Sequence, residues 1–364
     1  MLVQNLINYL QETTEHRIIL FAPNYGDKLP EIEHTDRLTI HRFFNPDNKL
    51  SVVRGLFQFT KLLKQEKPDL VHGQDFLIDG FFCRFSCPKL GIPYLLSTQG
   101  ELNPLKREIV PWSTKIKTPY LRWILNPCRV VITPEPKIHS KLKNLLGNEE
   151  KFSLISNAIY ITSEQKSPSK NDDSRLKELG LRSGSFFLFL GRIVQEKGVY
   201  EILESVKALA ETFRQHDFRF FFSGEGAAKA DLELIAQKTG IQDLVFFSSD
   251  IQPDDKWILL RHCRSMVLPS WEENLPISIL ESLGLEKGII GSDLPEIMAL
   301  LPTKTVGKTF ELKNSQDLAR SLSEDITSAA EPATEDFNKA MAPYDLRQMG
   351  EKMKVLYEKM ARTH

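Results

Sequence analysis

The sequence predicts an α/β chain of doubly wound parallel sheets divided into two domains. Apolar runs of strand length alternate with stretches of helical periodicity through most of the chain, the pattern of repeated βαβ units. At 364 residues the chain is longer than one ordinary core sustains. A polar segment, Ser163 to Asp173, interrupts the alternation near the middle and reads as a linker or surface excursion.

The chain opens on a helix whose Leu2, Val3, Leu6, Ile7 and Leu10 fall on one stripe. Arg17 to Pro23 reads as a buried strand, Leu38 to Arg42 as a second, and Val52 to Leu63 as a helix. Pro68 to His72 is a strand entering the polar loop Gly73-Gln74-Asp75, and a helix carrying Phe81, Phe82 and Phe85 follows. Strands at Tyr94–Thr98, Val130–Thr133 and Phe152–Ile155 complete the first half, with a helix through His139 and Leu142 before the last. His72 ends its strand, so it is either a group at the ligand edge of the sheet or a satisfied structural histidine.

In the second half, Phe186 to Leu190 is an apolar run with no alternation, as a strand covered on both faces requires. It enters a loop, Gly191-Arg192 to Lys197-Gly198, ahead of a helix with Ile202, Val206 and Leu209. Two cations five apart at such a corner suit a diphosphate: Arg192 by a two-pronged contact, Lys197 as a point charge. Phe218 to Phe222 is the next strand; Gly224 and Gly226 after it permit close backbone approach. Strands at Val245–Ser248 and Ile289–Ile290 and an amphipathic helix over Tyr344–Met360 complete the pattern.

The most informative stretch lies between. Ser265 to Ser270 reads as a short buried strand stopped by Pro269, followed by Glu272-Glu273-Asn274-Leu275-Pro276 and a helix with Ile277, Leu280 and Leu283 toward the core. Pro276 fits the first turn, where a missing N–H is harmless. Backbone N–H groups at a helix start hold phosphate well. A carboxylate at the corner, Glu273, repels phosphate but accepts hydrogen bonds from sugar hydroxyls beside it. Glu281, about two turns along, can hold a ribose diol in the same way. Taken alone, the two glutamates read first as solvated surface groups, since a pair eight apart is common by chance.

Net charge is −1, so no nucleic-acid partner is expected. Residues 1–155 hold 21 basic against 16 acidic residues, and residues 156–364 hold 26 against 32. The basic excess concentrates in 104–129, where Lys106, Arg107, Lys115, Lys117, Arg122 and Arg129 are interleaved with Trp112, Tyr120 and Trp123. That face suits an anionic membrane surface or a phosphorylated acceptor, or else is a solvated cover. No apolar run approaches a membrane span and no signal-peptide pattern opens the chain. The four cysteines lack zinc-like pairing and fit structural thiols, so a cytoplasmic protein is expected, a peripheral place at the inner membrane face being the alternative that the 104–129 face offers. No metal-ligand cluster and no cofactor motif stands out.

The run P-S-x-x-E-N-x-P-x-x-x-L-E-S, from Pro269 to Ser282, resembles the E-x7-E motif of the retaining GT-B glycosyltransferases of family 4 (glycosyl transferases group 1). G-R-x-x-x-E-K-G, Gly191 to Gly198, is a second hallmark, and Ile155 to Ile159 resembles the family strand ending in Asn-Gly, with Ala158 in place of the glycine. The resemblance implies a GT-B fold, two Rossmann-like domains facing across a cleft. The N-terminal domain would span residues 1–160 and the nucleotide-sugar domain 161–342, with a C-terminal helix over 343–364 returning to the first. It implies a metal-independent transferase moving a sugar from a nucleotide diphosphate sugar to a glycan or lipid acceptor with retention. Arg192 and Lys197 would stabilise the leaving diphosphate, Glu273 position the sugar, Glu281 the ribose, and Gly191, Gly224, Gly226, Asn274 and Leu275 line the nucleotide. His72, Gln99 and Gly100 would face the acceptor; Gln99 stands where relatives often carry a histidine and can only hydrogen-bond. In the family a strand and a glycine-rich turn come ahead of the first helix, and neither is present before Leu2. A nucleotide-sugar epimerase or phosphorylase of the same plan, or a catalytically silent nucleotide-binding partner, are the alternative readings.

Overall fold

The computed structural model describes residues 2–24, 30–46, 48–98, 114–134, 136–147, 149–248, 252, 254–303, 305–328 and 333–361. The chain divides into two compact units, Met1–Ala158 with Leu346–His364, and Ile159–Asp345.

The first unit begins with α1 (Leu2–Thr13), β1 (Ile18–Pro23), β2 (Ile32–Thr35), β3 (Leu38–Phe44) and α2 (Lys49–Glu66). It continues through β4 (Val71–Gly73), α3 (Ile78–Leu90), β5 (Tyr94–Ser97), α4 (Thr114–Leu125), β6 (Val130–Thr133), α5 (Pro136–Leu146) and β7 (Phe152–Leu154). Asn48 starts α2 by accepting from the N–H groups of Leu50 and Ser51, and Gly91 closes α3 in the left-handed conformation, φ 69°.

Its strands form two sheets rather than the single parallel sheet the alternation suggests. One has the order β1-β3-β2, the other β4-β5-β6-β7. β2 returns antiparallel on β3, while the second sheet is parallel throughout. β5 and β6 are buried along their whole length, but every residue of β1 is only half-buried, against the expectation of a buried strand.

In the second unit, α6 (Ser163–Lys166) and α7 (Asp172–Glu178) lead into β8 (Phe186–Leu190), α8 (Val199–Ala208), α9 (Ala210–Gln215) and β9 (Arg219–Ser223). Then come α10 (Lys229–Thr239), β10 (Val245–Ser248), α11 (Asp255–His262), β11 (Ser265–Leu268) and α12 (Ile277–Gly284). β12 (Gly288–Ser292), α13 (Pro295–Met298), β13 (Gly307–Phe310), α14 (Ser315–Thr327) and α15 (Thr334–Met341) complete it. The last helix, α16 (Leu346–Ala361), belongs to the first unit and packs on α1, where Gly350 lies against the ring of Tyr9.

The second sheet is parallel and six-stranded, in the order β10-β9-β8-β11-β12-β13. The chain winds outward from β8 to β10, returns to β11 on the other side of β8, and winds outward again. β8 and β11 therefore flank the topological switch point, where ligands bind open parallel sheets. Helices on both faces explain the unalternated runs: Phe186, Phe187, Phe189, Phe220 and Phe222 are fully buried.

The segment 163–173 is a surface excursion rather than a linker: most of it is exposed, but it is anchored at both ends. Thr162 and Gln165 close a reciprocal capping box on α6. Asp172, 2 % exposed, accepts from Arg261 Nη2 at 2.7 Å and lies 3.0 Å from His262 Nε2. Burial alone would raise its carboxyl, but the hydrogen bonds from Arg261 and His262 outweigh it and hold the group below the usual range. Its stabilising contribution is therefore complete above the ordinary carboxylate value and is lost as pH falls through the lower folded value. Asp172→Ala should cost about 3–5 kcal/mol, because it strands a buried guanidinium. Urea melts at neutral pH check the size, and melts in acid should show the gap between parent and variant closing as pH falls.

Candidate functional site at the switch point

Three loops leave the C-terminal ends of β9, β8 and β11, and backbone contacts lock them together. Trp271 N donates to Glu196 O at 2.9 Å, Ile193 N to Glu225 O at 2.9 Å, and Gly191 N to Ser223 O at 3.1 Å. The approach is so close that only glycine fits. A Cβ on Gly198 would stand 2.0 Å from Pro269 O, and one on Gly224 1.9 Å from Gly191 O. Gly226 meets Ile193 O in the same way. The glycines at 224 and 226, expected to let a ligand approach, thus first let one loop approach another. Ser292 Oγ, on β12, donates to Ser270 O at 2.7 Å and fixes the loop after β11 from its far side.

This lock sets the side chains. Lys197 Nζ donates to Glu273 Oε1, and Ser270 Oγ donates to the same oxygen at 2.6 Å. Both charged groups are largely shielded, with 19 % and 11 % of their side chains exposed. Arg192, at the start of the same loop, is exposed. Asn274 and Leu275 are half-buried between Glu273 and α12. Pro276 is the N-cap residue of α12 rather than part of its first turn, and no side chain caps the helix start. The leading N–H groups of α12 therefore face the strand ends without a side-chain acceptor.

Glu281 lies a little over one turn into α12, less far than the two turns expected. It is 4 % exposed, and its Oε1 accepts from Lys256 Nζ of α11 at 2.9 Å. Trp271 is pinned from both sides: its indole N–H donates to Glu201 at 2.8 Å and the Lys313 ammonium stands 4.0 Å over its ring. The structure thus brings Gly191, Arg192, Lys197, Gly224, Gly226, Glu273, Asn274 and Leu275 to one sheet edge, with Glu281 behind them on α12. Sequence reasoning missed Ser270, Lys256 and the Trp271–Glu201 pair. Lys256 is 25 residues from its partner and Glu201 is 70 from Trp271, separations that no local pattern encodes.

In the first unit, His72 is the middle residue of β4 rather than its last, and both its ring nitrogens are engaged. Nδ1 lies 2.6 Å from Tyr357 Oη on α16, and Nε2 lies 2.6 Å from Ser97 Oγ at the end of β5. Desolvation lowers its imidazole to about 3, so the ring is neutral, donating through one nitrogen and accepting through the other. Gln99 and Gly100 lie outside the described residues, as do Lys106, Arg107, Trp112 and the side chains of Lys115 and Lys117. Among the described residues no group of three or more His, Cys, Asp or Glu is arranged to hold a metal ion. The four cysteines are all buried and unpaired, and no described helix is long and apolar enough to cross a membrane.

Residues 173–340 match the family model of glycosyl transferases group 1, and residues 1–162 match that of glycosyltransferase family 4. The chain belongs to the group 1 glycosyltransferases. Its fold is that of the GT-B enzymes: sucrose-phosphate synthase from Thermosynechococcus elongatus superposes with a TM-score of 0.78 at 15% identity, over 100% of this chain and 93% of that one. The chain is 26% identical over 271 residues to a putative teichuronic acid biosynthesis glycosyltransferase of Bacillus subtilis, covering 73% of this chain and 63% of that protein. It is 26% identical over 300 residues to the UDP-Gal:alpha-D-GlcNAc-diphosphoundecaprenol alpha-1,3-galactosyltransferase of Escherichia coli, covering 78% and 74%. The chain thus spans a little under two thirds of the Bacillus relative.

The loop lock makes a separable prediction. Gly198→Ala combines a φ of 69° with a backbone clash and should cost about 2–4 kcal/mol, while Gly240→Ala, at φ 71° with open space around it, should cost about 1 kcal/mol. Chemical denaturation of the two variants checks this; equal costs would mean that the loops are not locked.

Proposed function

We propose that this glycosyltransferase moves a sugar from a nucleoside diphosphate sugar to a hydroxyl of a glycan or lipid-linked acceptor, with retention and without a metal ion. The observation that carries the reading is the Lys197–Glu273 pair at the switch point, beside Arg192 and the uncapped start of α12. The name of the Escherichia coli relative, with its UDP-galactose donor and diphosphoundecaprenol-linked acceptor, supports the two substrate classes.

In this reading the diphosphate lies at the ends of β8 and β11. Arg192 grips it through two N–H groups, Lys197 adds charge, and the first N–H groups of α12 complete the cradle. Gly191, Gly224 and Gly226 supply backbone that approaches the nucleotide, and Asn274 and Leu275 line it. The bond from the anomeric carbon to the diphosphate oxygen breaks with its electron pair staying on the diphosphate, where the cations stabilise it. The acceptor oxygen bonds to the same face of the sugar, and its proton passes to the departing diphosphate oxygen. Glu273 would repel phosphate if it stood alone. With Lys197 beside it, it accepts from the hydroxyls of the donor sugar instead. Glu281 holds the ribose diol. On the first unit Gln99 and Gly100 serve the acceptor by hydrogen bonding, not as a base, while His72, whose two ring nitrogens are taken by Tyr357 and Ser97, acts only by holding β4 in place.

The test is incubation with a panel of nucleotide sugars and lipid-linked acceptors, with the anomer of the product read by NMR. Activity should survive a metal chelator. Glu273→Gln should lower turnover while leaving nucleotide affinity nearly unchanged. Glu281→Gln should weaken nucleotide binding by about 1.5–3 kcal/mol, the worth of a hydrogen bond to a charged group. Interconversion of the nucleotide sugar with no transfer, or nucleotide binding with no turnover, would sink the proposal.

The same reading brings the chain to an anionic membrane surface, where a lipid-linked acceptor resides. Phe85 and Trp123 are 39% and 40% exposed, with the Lys89 ammonium 3.6 Å over the first ring and the Arg84 guanidinium 4.9 Å over the second. Exposed Arg122 lies beside them. Cosedimentation should be seen with anionic but not neutral vesicles. It should weaken by about 1 kcal/mol for each of Lys115, Lys117 and Arg122 neutralised; equal binding to both vesicles would remove this part of the reading.

A further inference from the structure

The second unit holds a cavity at the edge of its sheet opposite the switch point. Its volume is about 430 Å³, in the range of small-molecule sites. Arg264 lines it just ahead of β11, Lys287 just ahead of β12, and Lys308 near the start of β13. Asp325, in the last turn of α14, lines it too, and Ile290 and Phe337 supply an apolar wall.

Most of the charge around this cavity is already spent. Asp325 Oδ2 accepts from Ser265 Oγ at 2.8 Å and lies 3.6 Å from Arg264 Nε. Arg264 Nη2 donates to Asp325 O at 3.1 Å and to Ser328 O at 2.8 Å, so the guanidinium caps the end of α14. Lys308 Nζ lies 3.5 Å from Glu324 Oε2, and Glu286 Oε2 accepts from Thr334 Oγ1 at 2.9 Å. What these pairs leave over is cationic. Arg264 Nη1 and the Lys287 ammonium have no partner among the described residues. Lys287 is half-buried and its backbone is fixed: Glu286 N donates to Leu283 O and Lys287 N to Ser282 O, each at 3.0 Å, which closes α12. Glu286 takes the left-handed φ of 59° that glycine usually fills at such a helix end, and its bond to Thr334 ties the turn to α15. The Lys287 charge acts inside the cavity. Burial pushes the Cys263 thiol, on the cavity wall, up to about 12, and the Lys287 ammonium partly offsets that shift.

We propose that this cavity binds a small phosphate monoester, held by Lys287 and by Nη1 of Arg264. Two unspent cations, with every acid beside them already paired, suit a dianion rather than a neutral sugar or a single carboxylate. The volume exceeds what a bare phosphate ion fills, so the ligand carries an organic part, which lies against Ile290 and Phe337. The site is distinct from the nucleotide cradle: that one stands where β8 and β11 end, and this one where β11, β12 and β13 begin.

The test titrates glucose 6-phosphate, ribose 5-phosphate and glycerol 3-phosphate into the full chain at constant ionic strength and follows its backbone amides by NMR. Glucose, acetate and inorganic phosphate are the controls. At least one monoester should shift the amides of Gly288 and Gly307 saturably and bind more tightly than all three controls. Lys287→Gln should weaken that binding by about tenfold or more, while Lys287→Arg, which keeps the charge, should retain it. If Lys287→Gln does not fold, nuclear Overhauser contacts between the Phe337 ring and the carbon-bound protons of the ester decide, and they should be seen. No saturable shift at Gly288 and Gly307, or shifts confined to Gly191 and Gly224 at the other edge, overturns the proposal. Equal binding of inorganic phosphate means an adventitious ion only and overturns it as well, as does equal binding of glucose or acetate. The readout needs no sugar transfer, so this proposal and the proposed function fail separately.

Discussion

The second unit depends on backbone packing between loops. Three loops at the strand ends approach until carbonyl oxygens occupy the places where side chains would start, and glycine at 198, 224 and 226 is what allows it. Catalytic-type geometry follows from this contact. Lys197 immediately precedes Gly198, and Glu273 lies four residues beyond Pro269, the residue Gly198 touches. Fixing Gly198 against Pro269 brings a cation and a carboxylate from sequence-distant loops to hydrogen-bonding distance without a tether of their own. A site on loops is mobile unless something holds the loops; here the sheet holds one end of each and the glycine contacts hold the middle.

Charge is then placed where burial would otherwise forbid it. Glu281, Asp172 and Asp255 are almost fully buried, and each accepts from a cation on a neighbouring element: Lys256, Arg261 and Arg175. A lone buried carboxylate is costly, so each acid fixes the position of its partner helix as firmly as the partner fixes the acid. α11 carries Lys256, Arg261 and Asp255, and so ties α12 and α7 to the sheet by ion pairs as well as by its apolar face.

The first unit shows the complementary case, a sheet divided. Apolar clusters on its two faces contain residues of β1 or β3 together with residues of β5 and β6. The cores therefore continue across the interruption even though, among the described residues, the hydrogen-bond ladder does not. Side-chain burial is non-directional and tolerates such a break, whereas a ladder requires a strand at every step. His72 stands at this break and is steadied by hydroxyls from β5 and α16 instead of by a strand neighbour.

By itself the sequence determined the α/β class, most strands and helices, and the identity of the residues at the switch point. Apolar runs of strand length without alternation, bounded by turn residues, read as strands covered on both faces, and Arg192, Lys197 and Glu273 stand at strand-to-helix corners that any parallel sheet must present at one edge. Local pattern carries that information because period and turn chemistry are properties of neighbours in the chain. Tertiary structure decided the rest. That 163–173 is an anchored surface excursion and not a linker depends on Arg261 and His262, about ninety residues away. That Gly224 serves a neighbouring loop and that Lys256 holds Glu281 are facts of sheet order. Order is set by which faces can be buried together and not by any interval along the chain.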